Sequence, residues 1–213
     1  MTQKIKVLLV DDHAVVRMGF RMLLESTSDI QVVAEAESGE GACQEFQSSQ
    51  PDVVVMDITI TGMSGVEATK RILAREPHAR VLALSSHEDP SQVRFMLKAG
   101  ALGYLSKRSA PQALIEAIRS VAAGRMYLDA QVAQRMALQE FRGERHPLDV
   151  LSEREFGVFI QLAKGASANQ IAEVLNLSPR TVGTHLYNIK QKLSASNQSE
   201  LTLIAIRHGL ISA

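Results

Sequence analysis

Short runs of apolar residues alternate with amphipathic stretches along residues 1–125 of the chain. Strands that are buried on both faces show continuous apolar runs, whereas surface helices repeat their apolar positions every three to four residues. The pattern therefore predicts strands that alternate with helices, an order typical of a doubly wound parallel sheet in a flavodoxin-like α/β fold. The five predicted strands span 6–10, 30–34, 53–56, 81–84 and 101–105, and the five predicted helices span 13–26, 38–49, 65–75, 90–99 and 111–123.

The pattern changes after residue 125. A segment at 129–141 has helical periodicity, and a polar stretch that contains Gly143 and Pro147 follows it, as is typical of a linker. From 151 to 213 the apolar spacing is helical throughout, and no strand pattern appears. We therefore divide the chain into an α/β domain (1–125), a linker with one helix (126–147) and a small all-α domain of four helices (148–213).

Capping residues locate the helices of the all-α domain. Ser152 and Glu155 have the spacing of a capping box, and Ser178 followed by Pro179 is typical of an N-cap and a first helical position. The helix that begins at Pro179 is predicted to continue to about Leu193. Its narrow apolar stripe consists of Val182, Leu186, Ile189 and Leu193.

The other side of this helix is polar and carries no negative charge. A short helix, a tight turn and a longer polar-faced helix indicate a helix-turn-helix, here from about Ser167 to Leu186, whose second helix enters the major groove of DNA. The alternative is a helical module that binds proteins, because a polar helix face is often simply solvated. The polar side chains that can donate to phosphates or base edges are Arg180, Thr181, Thr184, Tyr187, Asn188 and Gln191.

Composition narrows the classes of function. The formal net charge is zero, so no overall attraction to nucleic acid or membranes is expected, although residues 151–213 carry six lysines and arginines against four acidic residues. The single cysteine, Cys43, excludes an intramolecular disulfide and a multi-cysteine zinc site. No apolar stretch is long enough to span a membrane. We expect a cytoplasmic protein that does not bind membranes.

Acidic residues follow two of the predicted strands. Asp11 and Asp12 follow the first strand, and Asp57 follows the third. Because function in such sheets collects at the carboxyl ends of the strands, we expect these carboxylates to meet and to bind a hard cation such as Mg²⁺. Asp57 can then act as a nucleophile toward a phosphoryl group, with Ser85 and Lys107 at neighbouring strand ends to contact its oxygens.

These motifs resemble the receiver domain of bacterial response regulators over about residues 4–123. The resemblance lies in Asp11-Asp12, Asp57, Ser85 and the run Gly103-Tyr104-Leu105-Ser106-Lys107. It implies phosphorylation at Asp57, and a Mg²⁺ site formed by Asp11, Asp12, Asp57 and the backbone carbonyl of Thr59. It also implies that Ser85 and Tyr104 form a switch pair and that Lys107 contacts the phosphate. Thr61 departs from the family, which often has proline there, and is expected to loosen the loop.

Residues 148–212 resemble the LuxR-type DNA-binding domain, through the runs 151–155, 168–172 and 177–185 and the pair Lys192-Leu193. The resemblance adds Asn169, Gly183 and Lys192 to the predicted DNA contacts. Gly183 and Tyr187 stand where relatives often have lysines, so a weaker salt-dependent affinity is expected. Together the two halves are similar to response regulators of the NarL/FixJ family, and residues 205–210 resemble the GacA/UvrY branch of that family.

The resemblance implies a transcription regulator rather than an enzyme. A partner histidine kinase would phosphorylate Asp57, and the phosphate would control binding to double-stranded promoter DNA. The predicted last helix, at 198–208, is apolar on two sides, so one side is expected to form a homodimer on DNA. Two alternatives remain: a degenerate receiver that ignores phosphate, and a haloacid-dehalogenase-type phosphatase, which needs a second carboxylate where Thr59 stands.

Overall fold

The computed structural model of the protein describes residues 4–86, 90–140, 147–208 and 210–211. The chain forms two compact units, Met1–Phe141 and Arg142–Ala213. The first unit is α/β and the second is all-α, as the hydrophobic pattern predicts. No helix within the described residues has both the length and the apolar character needed to cross a membrane.

The strands of the first unit form one parallel sheet with the order β2-β1-β3-β4-β5-β6. The five predicted strands and the five predicted helices of this unit are present, with ends within two residues of those expected. The strands are β1 (Ile5–Val10), β2 (Ile30–Ala36), β3 (Val53–Asp57), β4 (Val81–Ser85), β5 (Gly103–Ser106) and β6 (Tyr127–Leu128). The helices are α1 (Ala14–Glu25), α2 (Gly39–Ser49), α3 (Gly65–Arg75), α4 (Pro90–Lys98), α5 (Pro111–Ala122) and α6 (Ala130–Glu140).

The register of the central strands brings their carboxyl ends to one edge of the sheet. Val10 pairs with Met56, so the residues that follow β1 lie beside Asp57 at the end of β3. Ser85 at the end of β4 pairs with Ser106 at the end of β5. Every residue of β3, β4 and β5 is buried, which explains why these strands are continuous apolar runs in the sequence.

The sheet has a sixth strand that the sequence did not predict. Tyr127 of β6 pairs with Gly103 of β5, and a strand of two residues is too short to show any periodicity. The helix that follows, α6, contacts α4 and buries Val132. Residues 127–140 therefore belong to the first unit, although the sequence placed them in the linker. The polar residues 141–146 of that linker lie outside the described residues.

The second unit is a small helical bundle. Val158, Phe159, Ile171, Val182, Ile189 and Leu201 are fully buried and form its core. The ring centroids of Phe156 and Phe159 are 6.1 Å apart, a spacing typical of packed aromatic pairs. Its helices are α7 (Pro147–Val150), α8 (Glu153–Ala163), α9 (Ala168–Val174), α10 (Pro179–Leu193) and α11 (Gln198–Arg207).

Local signals define the helix ends in this unit. The predicted capping box of Ser152 and Glu155 is present, and Ser178 caps α10 by accepting from the amide of Thr181 at 3.1 Å. Ser167 and Gln170 form a second capping box, which the sequence analysis did not identify. The four-residue α7 was also not predicted, because a single turn carries no amphipathic pattern.

The turn between α9 and α10 has the backbone geometry of a tight helix-turn-helix. Asn176 adopts a left-handed conformation with φ of 51°, which asparagine tolerates better than most residues. The amide of Leu177 then donates to the carbonyl of Ala172 at 2.8 Å and closes the end of α9. The predicted motif is therefore formed by α9, this turn and α10.

Two glycines of the second unit should respond oppositely to alanine. A Cβ at either Gly183, inside α10, or Gly165, after α8, would meet no atom of the described residues within 4 Å. Gly183→Ala should stabilise the unit by about 1 kcal/mol, because glycine is a poor helix former. Gly165 has φ of 89°, so Gly165→Ala should destabilise it by about 1 kcal/mol. Native-state amide hydrogen exchange in α10 measures both changes, and equal signs would contradict the assignment.

Candidate functional site

Three aspartates lie together at the carboxyl edge of the sheet. Asp57 ends β3 and is 2% exposed, and Asp11 follows β1 and is 3% exposed. One ligand atom from each of Asp11, Asp12, His13 and Asp57 can be chosen so that all lie within 4.8 Å of one another. The structure therefore brings together the acidic residues that the sequence predicts to meet, and places His13 at their rim.

Lys107 supplies positive charge to this acidic cluster. It follows β5, and its Nζ lies 2.5 Å from Oδ2 of Asp11 and 2.6 Å from Oδ2 of Asp57. The backbone amide of Lys107 donates to the carbonyl of Ser85 at 2.8 Å, which fixes the start of the lysine loop against β4. One ammonium group thus bridges two buried carboxylates that come from different strands.

Burial changes the pKa values of both partners. Burial raises the pKa of Asp57, and this effect exceeds the opposing effects of Lys107 and of the Thr59 amide. Burial alone would lower the pKa of Lys107, but hydrogen bonds and charge from Asp11 and Asp57 outweigh it and raise that pKa. The ammonium therefore stays charged, while the carboxylates are not fully compensated by one lysine.

Backbone amides bind most of the remaining carboxylate oxygens. Oδ1 of Asp11 accepts from the amide of His13 at 2.9 Å, and Oδ1 of Asp57 accepts from the amide of Thr59 at 3.1 Å. Oδ1 of Asp12 is buried and has no hydrogen-bond partner among the described residues. The His13 Nδ1 lies 2.8 Å from it, but not in hydrogen-bond geometry. A buried oxygen without a donor, beside two further carboxylates, fits a hard divalent cation such as Mg²⁺.

Thr61 affects the loop differently from the expectation. Its amide donates to Oδ2 of Asp12 at 3.2 Å. A proline at this position, as many relatives have, lacks the N–H group and could not make this bond. The departure therefore ties the loop after β3 to Asp12, although the sequence analysis expected threonine to loosen it.

Close backbone packing supports the loop after β3. A Cβ at Gly65 would overlap the carbonyl oxygen of Asp57, so the start of α3 can lie this close only with glycine there. Glu40 on α2 accepts from the amide of Met63 at 3.1 Å. The sequence analysis missed both supporting residues. Only the glycine immediately after the Ser64 N-cap offered a signal.

The predicted switch residues lie on adjacent strands. Ser85 is fully buried at the end of β4, and its hydroxyl donates to Oε1 of Gln92 on α4 at 3.1 Å. Tyr104 on β5 is also fully buried and pairs with Ala83 of β4. Ser85 thus connects the acidic edge with α4, through a glutamine that the sequence analysis did not single out.

The predicted DNA-contacting residues of the second unit are mostly accessible. Tyr187 is 66% exposed, and the helical spacing places it on one side of α10 with Arg180, Gly183 and Thr184. Thr181 and Asn188 are half-buried, and Asn169 is exposed on α9. The face contains donors and no carboxylate, as a surface for phosphates and base edges requires.

Lys192 has a partner within the second unit. Its Nζ lies 2.6 Å from Oε2 of Glu155, a residue that is 4% exposed, and the same oxygen accepts from the amide of Ser152 at 2.8 Å. Burial alone would raise the pKa of Glu155, but these donors outweigh it and lower that pKa. The sequence predicts Lys192 as a DNA contact, whereas the structure uses its ammonium to join α10 to the start of α8.

The lowered pKa of Glu155 makes the stability of the second unit depend on pH. A carboxyl group with a folded pKa below its unfolded value of about 4.5 stabilises the fold above that value. This stabilisation should be lost as the pH falls through the folded pKa. Glu155→Gln should therefore lower the urea midpoint at pH 7 and much less at pH 3, measured from the NMR signals of Val158 and Ile189. Glu173→Gln, on the exposed side of α9, is the matched control and should change neither midpoint.

Family comparisons agree with this geometry. The model described as the response regulator receiver domain matches residues 7–119, which include the acidic cluster and Lys107. The model described as bacterial regulatory proteins of the luxR family matches residues 149–205, which include the helix-turn-helix. The two matches cover the two units separately.

Similar proteins share this domain order over their full lengths. The response regulator UvrY of Escherichia coli strain K12 is 43% identical over 98% of this chain and 97% of its own. The response regulator GacA of Pseudomonas aeruginosa is 41% identical over 98% of this chain and 99% of its own. The crystal structure of ChrA, a response regulator in a heme-sensing two-component system, is 36% identical with a TM-score of 0.56, over 98% of this chain and 99% of ChrA. The chain therefore belongs to the NarL/FixJ family of two-component response regulators, with a receiver domain followed by a LuxR-type DNA-binding domain.

Proposed function

We propose that Asp57 accepts a phosphoryl group from a partner histidine kinase and that the modification controls binding of the second unit to double-stranded promoter DNA. The observation that carries this proposal is the buried Asp57 carboxylate, held by Lys107 beside the unpartnered Oδ1 of Asp12. Mg²⁺ would be held by Asp11, Asp12, Asp57 and the backbone carbonyl of Thr59. When bound, it would reduce the repulsion between these carboxylates and an incoming phosphoryl group.

The chemistry is a transfer between two covalent bonds. A carboxylate oxygen of Asp57 forms a bond to phosphorus, the phosphorus–nitrogen bond of a phosphohistidine breaks, and the histidine nitrogen keeps the electron pair. Lys107 is placed to move its ammonium from the Asp57 carboxylate to a new phosphoryl oxygen. At the position of a phosphatase's second carboxylate stands Thr59, whose amide already donates to Asp57. This supports a phosphate that is stored as a signal rather than turned over.

The response of the receiver would begin at Ser85. Its hydroxyl contacts Gln92 of α4 in the present structure and is a donor suited to a phosphoryl oxygen on Asp57. Leaving Gln92 would change the position of α4, while the buried ring of Tyr104 occupies the space beside β4. The switch pair would thus transmit the phosphorylation state to α4 and β5.

Helix α1 offers a surface on which the phosphodonor can dock. Val15, Met18 and Met22 are 85%, 63% and 70% exposed and share one side of the helix. A groove of about 560 Å³ beside them is lined by Val15 and Lys107 and reaches the start of α5. Exposed apolar side chains this close to Lys107 support the approach of a partner helix that presents its phosphohistidine to Asp57.

The second unit would bind DNA as a homodimer. The exposed polar side of α10 would enter the major groove, with Arg180, Thr184 and Tyr187 as principal contacts. On α11, Leu201 and Ala205 are fully buried within the unit, whereas Leu203 is 61% exposed. The exposed apolar side of α11 supports the proposal that two copies meet there when they occupy the two half-sites of an operator.

Asp57→Asn should abolish formation of the acyl phosphate and the phosphorylation-dependent gain in DNA binding, because an amide is not a nucleophile toward phosphorus. Labelling by acetyl phosphate or phosphoramidate with Mg²⁺, detected by intact-protein mass, measures the first effect. Asp12→Asn should leave labelling possible but require a higher Mg²⁺ concentration, because Asp57 is intact while one cation ligand is weakened. Undiminished labelling of the Asp57→Asn protein would refute the site.

Arg180→Ala should weaken DNA binding at all sequences and lower the slope of log affinity against log salt by about one, if the side chain contacts a phosphate. Arg207→Ala, which removes an exposed arginine near the end of α11, is the matched control and should keep the salt slope. Fluorescence anisotropy with a promoter duplex across a salt series measures both variants. Equal slopes for Arg180→Ala and the unmodified protein would exclude this phosphate contact.

A further inference from the structure

The loop that carries Lys107 has a second anchor outside the acidic cluster. Lys107 binds Asp57 through its side chain and Ser85 through its backbone amide. Two residues later, the hydroxyl of Ser109 donates to Oδ2 of Asp129 at 2.7 Å. This bond is partly buried and joins positions 20 residues apart in the chain. A movement of the lysine loop therefore acts directly on Asp129.

Asp129 is also the N-cap of α6. Its Oδ1 accepts from the amide of Gln131 at 3.0 Å, and its carbonyl accepts from the amide of Ala133 at 2.9 Å. Its own amide donates to the carbonyl of Tyr104 at 3.1 Å. Asp129 thus contacts the lysine loop with one carboxylate oxygen, caps α6 with the other, and is tied to the proposed switch tyrosine through its backbone.

Helix α6 is the last element of the first unit before the chain enters the second unit. It is held on the first unit by Val132, which is 1% exposed, and by contacts with α4. It ends at Glu140, and α7 begins at Pro147. A change at the N-cap of α6 therefore acts on the segment through which the DNA-binding domain is attached.

We propose that Asp129 is a positioning residue that couples the lysine loop of the phosphorylation site to the linker helix α6. The inference deepens the proposed function and rests on it for its biological meaning. When Lys107 transfers its ammonium from the Asp57 carboxylate to a phosphoryl group, the loop moves with it. Ser109 then pulls on Oδ2 of Asp129 or releases it, and the cap of α6 changes.

The geometry favours this route because both oxygens of one carboxylate are used. The carboxylate of Asp129 is a rigid planar group, so a shift of Oδ2 also displaces Oδ1 from the amide of Gln131. A hydrogen bond from a hydroxyl to a carboxylate is stronger than one between neutral groups, which lets Asp129 follow Ser109. Loss of such a bond changes an equilibrium by about tenfold, which is large enough to detect in helix opening.

Amide hydrogen exchange at Gln131, Val132 and Ala133 in the full chain tests this coupling. Two perturbations are applied separately: phosphoramidate with Mg²⁺, and the substitution Lys107→Met, which frees the lysine loop without phosphorylation. Each should change exchange at the first turn of α6 by about tenfold. In the Ser109→Ala background, both responses should fall to less than twofold while Asp57 labelling persists. Ser109→Thr, which keeps the hydroxyl, should restore both responses.

A serine in a different helix provides the control. The Ser48 hydroxyl bonds to Gln44 and Glu45 within α2, so Ser48→Ala should leave both responses unchanged. Responses in Ser109→Ala equal to those of the unmodified protein would overturn the coupling. If Lys107→Met changes α6 but phosphoramidate neither labels Asp57 nor changes α6, the proposed function is wrong and the coupling stands. If Asp57 is labelled and DNA binding responds while α6 does not, the coupling is wrong and the proposed function stands.

Discussion

The bridge from Lys107 to Asp11 and Asp57 is the interaction on which the first unit depends at its carboxyl edge. Buried carboxylates from neighbouring strands repel each other, and burial raises the free-energy cost of their charges. One ammonium group offsets part of this cost and leaves a site that a divalent cation would complete. The strand order places β1, β3, β4 and β5 side by side, and this adjacency allows the compensation.

The second unit uses a similar pair for a different purpose. Glu155 is buried at the start of α8, and Lys192 reaches it from the last turn of α10. Here one acid meets one base and two capping donors, so no charge is left to attract a ligand. The pair is therefore best explained as a brace between α8 and α10. In the first unit, by contrast, excess negative charge remains for a cation or a phosphoryl group to use.

The two units are linked by residues whose importance comes from their position in the fold. Ser109 and Asp129 belong to no motif, and neither is close to the other in the sequence. Folding of β6 beside β5 places Asp129 against the lysine loop, and Asp129 then starts α6. If the proposed phosphorylation moves Lys107, this arrangement gives the movement a short route to the linker helix. It also explains why the first unit extends beyond the five-stranded sheet.

The sequence by itself determined the elements that depend on local chemistry. Apolar runs predicted β1 to β5, and the Ser152 box and the Ser178-Pro179 pair predicted the ends of α8 and α10, because these signals lie within a few residues. The tertiary structure alone decided which polar groups find partners. It gave Lys192 to Glu155, the Thr61 amide to Asp12, and Ser109 to Asp129, and it added β6 to the sheet. Such pairings join residues 20 to 49 positions apart, and periodicity and capping describe only neighbours along the chain, so no local pattern encodes them.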